Sequence, residues 1–418
     1  MNPRADAARP NRASPSNNTS DVAVIGGGIV GAAAALGAAQ AGLSTLWVSG
    51  RSASQAASPA AARDLRVYAL SPATQRFLDD LRVWSQLDAA RIAPVFDMRF
   101  YGDRDGRAAL HFGAYESATE RLATIVEHRE LLRVLDTAAS YFPGIERVEG
   151  LATDVAAGAD AVTLGTGRGP KSAKLVIVAD GAHSTTRAAL GITARDAPYG
   201  QRAIVGNFAC AQPHGGTAFQ WFTDEGVVAL LPLPGLVGDD ASHAMSLVWS
   251  APDAVADELM RVAGEGVADR LSTLAAGRTA SAIGPFQPLG GLADVPLSML
   301  STDRLIATRS ALVGDAAHVV HPLAGQGLNL GLQDVEGLLA VVANREPFRD
   351  CGDGILLRRY ERSRAEPVFA MRRMTDGLAQ LFASERPGIA RLRGVGLRLV
   401  DRATPLKRLL MRHAAGEA

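Results

Sequence analysis

The segment from residue 22 to residue 48 carries no charged side chain, so it is buried either in lipid or in a protein core. Its composition decides between them. It is mostly glycine and alanine, whose burial in lipid gains little, and it lacks flanking aromatic anchors. Its internal order is not that of one long helix either. Residues 22–25 read as a short apolar strand, followed by a glycine turn, a small-residue helix over 29–40 and a second strand over 45–48. That order is a βαβ unit, which demands a parallel sheet with covered faces.

The turn between strand and helix spells Gly26-x-Gly28-x-x-Gly31, with Ile29 and Val30 between the last two glycines. Gly26 permits the tight turn, Gly28 lets the backbone approach a pyrophosphate, and Gly31 lets helix and strand pack closely. The N–H groups of the first helical turn face the phosphates. Dinucleotide binding usually also uses a carboxylate at the end of the second strand, but no acidic residue occurs between Asp21 and Asp64. Ser49 stands there, offering a weaker hydrogen bond to a ribose hydroxyl. Arg51 close by suits the 2′-phosphate of NADP. This turn alone leaves FAD and NADP unseparated.

At 418 residues the chain exceeds one ordinary domain. Lysine plus arginine balance aspartate plus glutamate at 43 each, so no global field favours nucleic acid, and any charge-driven contact is local. Cys210 and Cys351 lie far apart in no metal or redox spacing, which excludes a zinc site built from cysteines and fits reduced thiols in the cytoplasm. Residues 1–20 read as a disordered tail. A helical stretch fits residues 72–87, another 130–139, and a strand 175–179. Between 202 and 252 short β-rich runs alternate with proline, glycine and aspartate, as in an antiparallel sheet. A strand over 305–313 and a helix over 328–342 restore the α/β texture, and the chain is helical and arginine-rich from 355 onward. An inserted β domain within a discontinuous nucleotide domain accounts for this order.

Residues 311–336 (ALVGDAAHVVHPLAGQGLNLGLQDVE) form a second motif. A strand delivers Gly314-Asp315, a loop carries Pro322, Gly325 and Gln326, and a helix begins around Gly327, Leu328 and Asn329. A carboxylate at a strand end suits sugar hydroxyls or oriented water. The following glycines leave helix N–H groups accessible, where the dipole favours negative charge. Residues 175–187 (LVIVADGAHSTTR) supply a third motif, a strand followed by Asp180-Gly181, then Ser184 and Arg187. Asp-Gly on its own also makes an ordinary turn.

These three motifs, in this order, resemble the FAD-dependent aromatic hydroxylases, the flavoprotein monooxygenases related to para-hydroxybenzoate hydroxylase. Residues 64–71 (DLRVYALS), 122–127 (LATIVE), 199–207 (YGQRAIVGN), 228–233 (VALLPL), 247–250 (LVWS), 360–364 (YERSR) and 392–416 resemble the ubiquinone-biosynthesis branch in particular. The resemblance implies an α/β fold: a discontinuous Rossmann-like FAD-binding domain (21–90, 122–192 and 302–350), an inserted, mostly antiparallel substrate domain (91–121 and 193–301) and a C-terminal helical region (351–418). It implies bound FAD, held by Gly26, Gly28, Ile29, Val30, Gly31, Ser49, Arg66, Asp180, Asp315, Pro322, Gly325, Gln326, Gly327, Leu328 and Asn329. It further implies NAD(P)H as a transient reductant and O₂ as the source of the oxygen placed on the ring of a polyprenylated phenol in ubiquinone biosynthesis. The missing acid after Val48, and His128 where many relatives carry an arginine, are departures from the family pattern.

No catalytic base is identified; His111, His318 and His321 are candidates by chemistry alone, and a structural role suits each of them. Phe219, Trp221, Phe222 and Leu230 are candidates for an apolar substrate wall or, equally, for sheet core. Arg391, Arg393, Arg398, Arg402, Lys407, Arg408 and Arg412 form either a solvated helix face or a peripheral contact with the inner membrane or with other quinone-biosynthesis proteins. A monooxygenase acting on another aromatic or an alkene, a flavin-binding assembly subunit without turnover, and a NADP-binding reductase are the competing readings.

Overall fold

The computed structural model describes residues 19–50, 63–102, 110–234, 243–276, 283–321 and 327–383. The tail before residue 19, Arg51, the loop residues Pro322, Gly325 and Gln326, and the basic stretch from Arg391 to Arg412 lie outside the described residues.

The charge-free segment folds as β1 (Thr19–Ile25), α1 (Ile29–Gln40) and β2 (Thr45–Ser49), the βαβ unit that its sequence demands. Helix α1 is buried on nearly every side, because alanine and glycine let its neighbours close in. The chain continues as β3 (Val67–Leu70), α2 (Pro72–Asp80), β4 (Ile92–Val95), β5 (Asp97–Tyr101), β6 (Leu110–Gly113), β7 (Ala123–Glu127), α3 (His128–Tyr141), β8 (Ile145–Glu149), β9 (Thr153–Ala157), β10 (Val162–Gly165) and β11 (Lys171–Val178). The helix expected over 72–87 stops early. Arg82 takes a left-handed backbone (φ 58°), and a 3₁₀ turn at Trp84–Gln86 follows.

A short helix, α4 (Thr185–Ala189), leads into β12 (Ala194–Cys210), β13 (Thr217–Thr223), β14 (Gly226–Leu233) and β15 (Ala244–Pro252). The 24-residue helix α5 (Asp253–Ala276), kinked at Ala263, follows, and its sequence gave no warning of it. After β16 (Phe286–Pro288) and β17 (Ala293–Thr302), the single strand expected over 305–313 is a hairpin. Strands β18 (Ile306–Ala307) and β19 (Ser310–Leu312) fold back at Arg309, another left-handed residue. Strand β20 (His318–Val319) and helices α6 (Gly327–Ala343) and α7 (Gly354–Ala383) complete the described chain.

Among the described residues the strands make three sheets. The first is an eight-stranded sheet whose parallel centre runs β19-β11-β1-β2-β8, with α1, α2, α3, α6 and α7 contributing to the core on one face. The second has nine strands, β20-β17-β12-β15-β14-β13-β5-β6 with β16 beside β12, antiparallel except where β13 meets β5. Helix α5 covers one face of it. The small third sheet, β3-β7-β4, packs on the other face. No helix among the described residues is long and apolar enough to cross a membrane.

Candidate functional site

Strand β1 ends at Ile25, and the next residue, Gly26, has a left-handed backbone (φ 137°) and lies against Ala179 just past β11. A Cβ there would collide with the Ala179 carbonyl oxygen, and one on Gly31 would collide with the carbonyl of Gly26. A Cβ on Gly28 would meet nothing within 4 Å. The turn is therefore closed towards the protein and open outward. Helix α1 starts there with no side-chain cap and no acidic residue in its first turn, so its leading N–H groups are available to an anion.

The Asp315 turn sits directly beside it. Val30 of α1 packs on Gly314 and Gly331, so neither glycine has room for a side chain without a shift. Gly314 is left-handed (φ 61°), and its N–H donates to Asp334 Oδ2 at 3.0 Å. Asp334 is fully buried. Its other oxygen accepts from Arg364 Nε at 2.7 Å, and His318 Nε2 lies 2.7 Å from Oδ2, a contact off the hydrogen-bond axis. Burial alone would raise the Asp334 carboxyl, but His318, Arg364 and the Gly314 N–H outweigh it and hold it below the ordinary carboxylate range.

Asp315 itself points the other way, into solvent, yet the protein crowding around it pushes its carboxyl above the ordinary value, with Arg66 and His318 pulling it back. A side chain open to water but walled by protein lines a cleft. Beyond it, β20 joins the edge of the nine-stranded sheet by pairing with β17, so both large sheets meet at this turn.

Asp180 follows β11. Its Oδ2 accepts from Thr186 N at 3.3 Å, while Oδ1 is buried with no hydrogen-bond partner among the described residues. Such an orphan acceptor costs free energy until a donor arrives. Arg187 is buried and donates to Ala316 O and Ala182 O, both at 2.9 Å, which staples the Asp180 turn to the Asp315 turn. The structure thus brings Gly26, Asp180 and Asp315 together from three distant stretches of sequence.

Arg66 is exposed, 5.5 Å from the ring centroid of Tyr68, and is electrostatically coupled to Asp315. The Tyr68 hydroxyl lies 3.1 Å from His128 Nδ1. Burial pushes the Tyr68 hydroxyl up to about 12 and, with Arg66 alongside, pushes the His128 imidazole down. His128 is thus a hydrogen-bond partner of Tyr68 in a setting that disfavours its charged form. Gly327 and Leu328 are half-buried at the start of α6. The Asn329 amide is used within the protein: Ser71 N donates to its Oδ1 (2.9 Å) and its Nδ2 donates to Ala69 O (2.8 Å), latching α6 to β3. What Asn329 leaves for a ligand is backbone.

Ser49 is 1% exposed, and its Oγ accepts from Arg147 Nε at 3.2 Å. Its oxygen is thus engaged within the protein, and its own O–H is what remains to donate. Arg147 gave no signal in the sequence, because it reaches Ser49 only through the parallel pairing of β2 with β8.

The aromatic wall needs correcting. Phe219, Trp221 and Leu230 point to the α5 side of the nine-stranded sheet, with Trp221 stacked between Tyr101 and Phe219. They are sheet core. Alternation places Phe222 on the opposite face, with half-buried Val205, Gln220, Ala229, Leu231 and Val248. That face turns towards the small sheet. Of the candidate histidines, His318 braces Asp334, and His111 pairs with Asp97 on a peripheral hairpin. His321, buried beside the loop, lies 3.2 Å by Nε2 from Gln201 Oε1 and edge-on to Tyr199.

The chain matches the family described as "FAD binding domain" over residues 19–375. It is 34% identical to ubiquinone hydroxylase UbiL of Rhodospirillum rubrum over 408 residues, covering 96% of this chain and 90% of the relative. It is 31% identical to 3-demethoxyubiquinol 3-hydroxylase of Escherichia coli, covering 96% and 99%. Among solved structures, p-nitrophenol 4-monooxygenase PnpA of Pseudomonas putida superposes with a TM-score of 0.72 at 19% identity, covering 96% of this chain and 99% of that one. HpxO of Klebsiella pneumoniae, complexed with FAD and uric acid, gives 0.70 at 20% identity, covering 93% and 97%. At those identities the structural likeness speaks for the fold.

Proposed function

The chain belongs to the FAD binding domain family and is an FAD-dependent monooxygenase, and we propose that it hydroxylates the aromatic ring of a polyprenylated phenol in ubiquinone biosynthesis. What carries the substrate reading is the likeness to ubiquinone hydroxylases along nearly the whole chain, and the flavin site itself is read from Asp315, a solvent-facing carboxylate in a crowded cleft, coupled to Arg66 and set where both large sheets meet.

The residues present fit FAD. The Gly26–Gly31 turn offers an open backbone and free N–H groups to the pyrophosphate, through Gly26, Gly28, Ile29, Val30 and Gly31. Asp315 suits ribityl hydroxyls, and the start of α6 at Gly327, Leu328 and Asn329 suits the polar edge of the ring through backbone N–H groups. Pro322, Gly325 and Gln326, which precede α6 in the sequence, lie outside the described residues and are proposed to join them. Asp180 has an unused acceptor, and Arg66 a free positive charge near Asp315. Bound FAD would supply the redox chemistry, with NAD(P)H as the hydride source and O₂ as the source of the hydroxyl oxygen. The chain's own part is to orient the phenol and keep water out. The half-buried aliphatic face of Val205, Ala229, Leu231 and Val248 suits a ring with an isoprenoid tail.

Steady-state turnover tests this. NAD(P)H oxidation stimulated by a prenylated phenol, with hydroxylated product in proportion, is expected. Productive hydroxylation of an unprenylated aromatic in preference to it would overturn the substrate assignment. Deleting the gene should accumulate a quinone precursor lacking one ring hydroxyl, which also reports the ring position. The basic stretch 391–412 is proposed to bring the enzyme to the membrane that holds such precursors. Equal flotation with anionic liposomes by the full chain and a chain ending at 383 would refute that contact.

A further inference from the structure

Dinucleotide sites of this architecture normally place a carboxylate at the end of the second strand, where it accepts hydrogen bonds from a ribose. Here that position is Ser49, and the group occupying its surroundings is a cation. The Arg147 guanidinium lies over the Trp47 ring, 4.3 Å from its centroid. Its Nε donates to Ser49 Oγ, and its Nη1 donates to Asp136 Oδ1 at 2.8 Å and to Ser140 Oγ at 3.3 Å. Nε and Nη1 are thus spent on fixing the group, the latter in an ion pair with Asp136. Nη2 has no hydrogen-bond partner among the described residues, and the side chain keeps 19% of its surface exposed.

The strand register places this end of the site beside the glycine turn. A Cβ on Gly27 would stand 3.2 Å from the Ser49 Cβ. The nearest rival is Glu149, which is exposed and in register with Ser49 on β8. Among the described residues no hydrogen bond joins it to Ser49's side chain, whereas Arg147 is bonded to it.

We propose that Arg147 reverses the polarity of the ribose contact, so that the adenosine end of the flavin site donates to ribose oxygens and accepts a 2′-phosphate. The ligand class is adenosine nucleotides carrying negative charge at the 2′ position. The inference rests on the flavin reading above. A fixed guanidinium with Nη2 uncommitted can donate through that nitrogen to a ribose or phosphate oxygen, while a carboxylate at the strand end would repel a phosphate.

The test is binding alone, on the full chain freed of its FAD. Dissociation constants for FAD, 5′-ADP and 2′,5′-ADP are measured by calorimetry at low salt. The expected result is tight FAD binding with 2′,5′-ADP held about tenfold more tightly than 5′-ADP, an advantage that shrinks as salt rises. The advantage should disappear in Arg147→Gln, survive in part in Arg147→Lys, and persist in Arg51→Ala and Glu149→Gln. Because the ratio is taken within one protein, a general loss of stability in a variant does not imitate it. Equal binding of the two nucleotides, tighter 5′-ADP, or no binding of either by a chain that holds FAD would overturn the proposal. So would loss of the advantage in Arg51→Ala but not in Arg147→Gln. Failure to bind FAD would instead sink the flavin reading itself.

Discussion

The Gly26 turn keeps its shape because side chains are missing from it, whereas the Gly314–Asp315 turn keeps its shape because buried polar side chains stand behind it. At the first, the backbone of β1 touches the end of β11, and the constraint is steric and indifferent to pH. At the second, Asp334 gathers the Gly314 N–H, Arg364 and His318 into one buried cluster. A steric turn fails when an atom is added to it. A charged brace fails when a partner is taken away.

The largest effect is expected at the brace. Asp334→Ala leaves Arg364 buried without its counter-charge and Gly314 N without its acceptor, and should cost about 3–5 kcal/mol in denaturant unfolding. Gly26→Ala should follow at about 2–4 kcal/mol, from the left-handed backbone and the collision with Ala179, with the flavin absorbance of the purified protein lost. If it instead retains flavin and stability, the steric account of that turn is wrong. Asn329→Ala removes the latch between α6 and β3, strands Ser71 N and Ala69 O, and should cost about 1–3 kcal/mol. The smallest effect separates binding from bracing. Asp315 is penalised for its charge, so Asp315→Asn should leave the FAD-free protein unchanged or stabilised by roughly 0.5 kcal/mol or less, while weakening FAD binding.

Acid titration sharpens the same contrast. Asp334 is held below its ordinary value of 3.8 in the fold, so its contribution is complete above that pH. It is lost as pH falls further, through the depressed native value. The wild type should therefore lose more stability below pH 3.8 than Asp334→Asn does, as read by unfolding midpoints. Equal acid sensitivity in the two proteins would show that the brace is not ionic.

Much of the fold was legible because it is local. The charge-free run specified β1, α1 and β2, and the Asp315 motif gave the second turn. The faces of the nine-stranded sheet were not legible. VVALLPL in β14 is apolar at every position, since both of its faces are covered, and alternation carries no signal in such a strand. Helix α5 was hidden by Gly264 and Gly266 and by the left-handed Ala263, which interrupt its helical periodicity. Asp334 and Arg147 were missed for a different reason. Each acquires its meaning from a partner dozens of residues away, and spacing along the chain says nothing about such pairings.

Arg364 lies fourteen residues beyond residue 350, on α7, yet its guanidinium ends under the Asp315 turn. A protein cut at 351, where the sequence changes texture, would leave Asp334 facing an empty socket. The smallest expressible unit that keeps this turn intact must run through α7. A shortened chain is therefore informative about membrane or partner contacts only if it retains the whole of that helix.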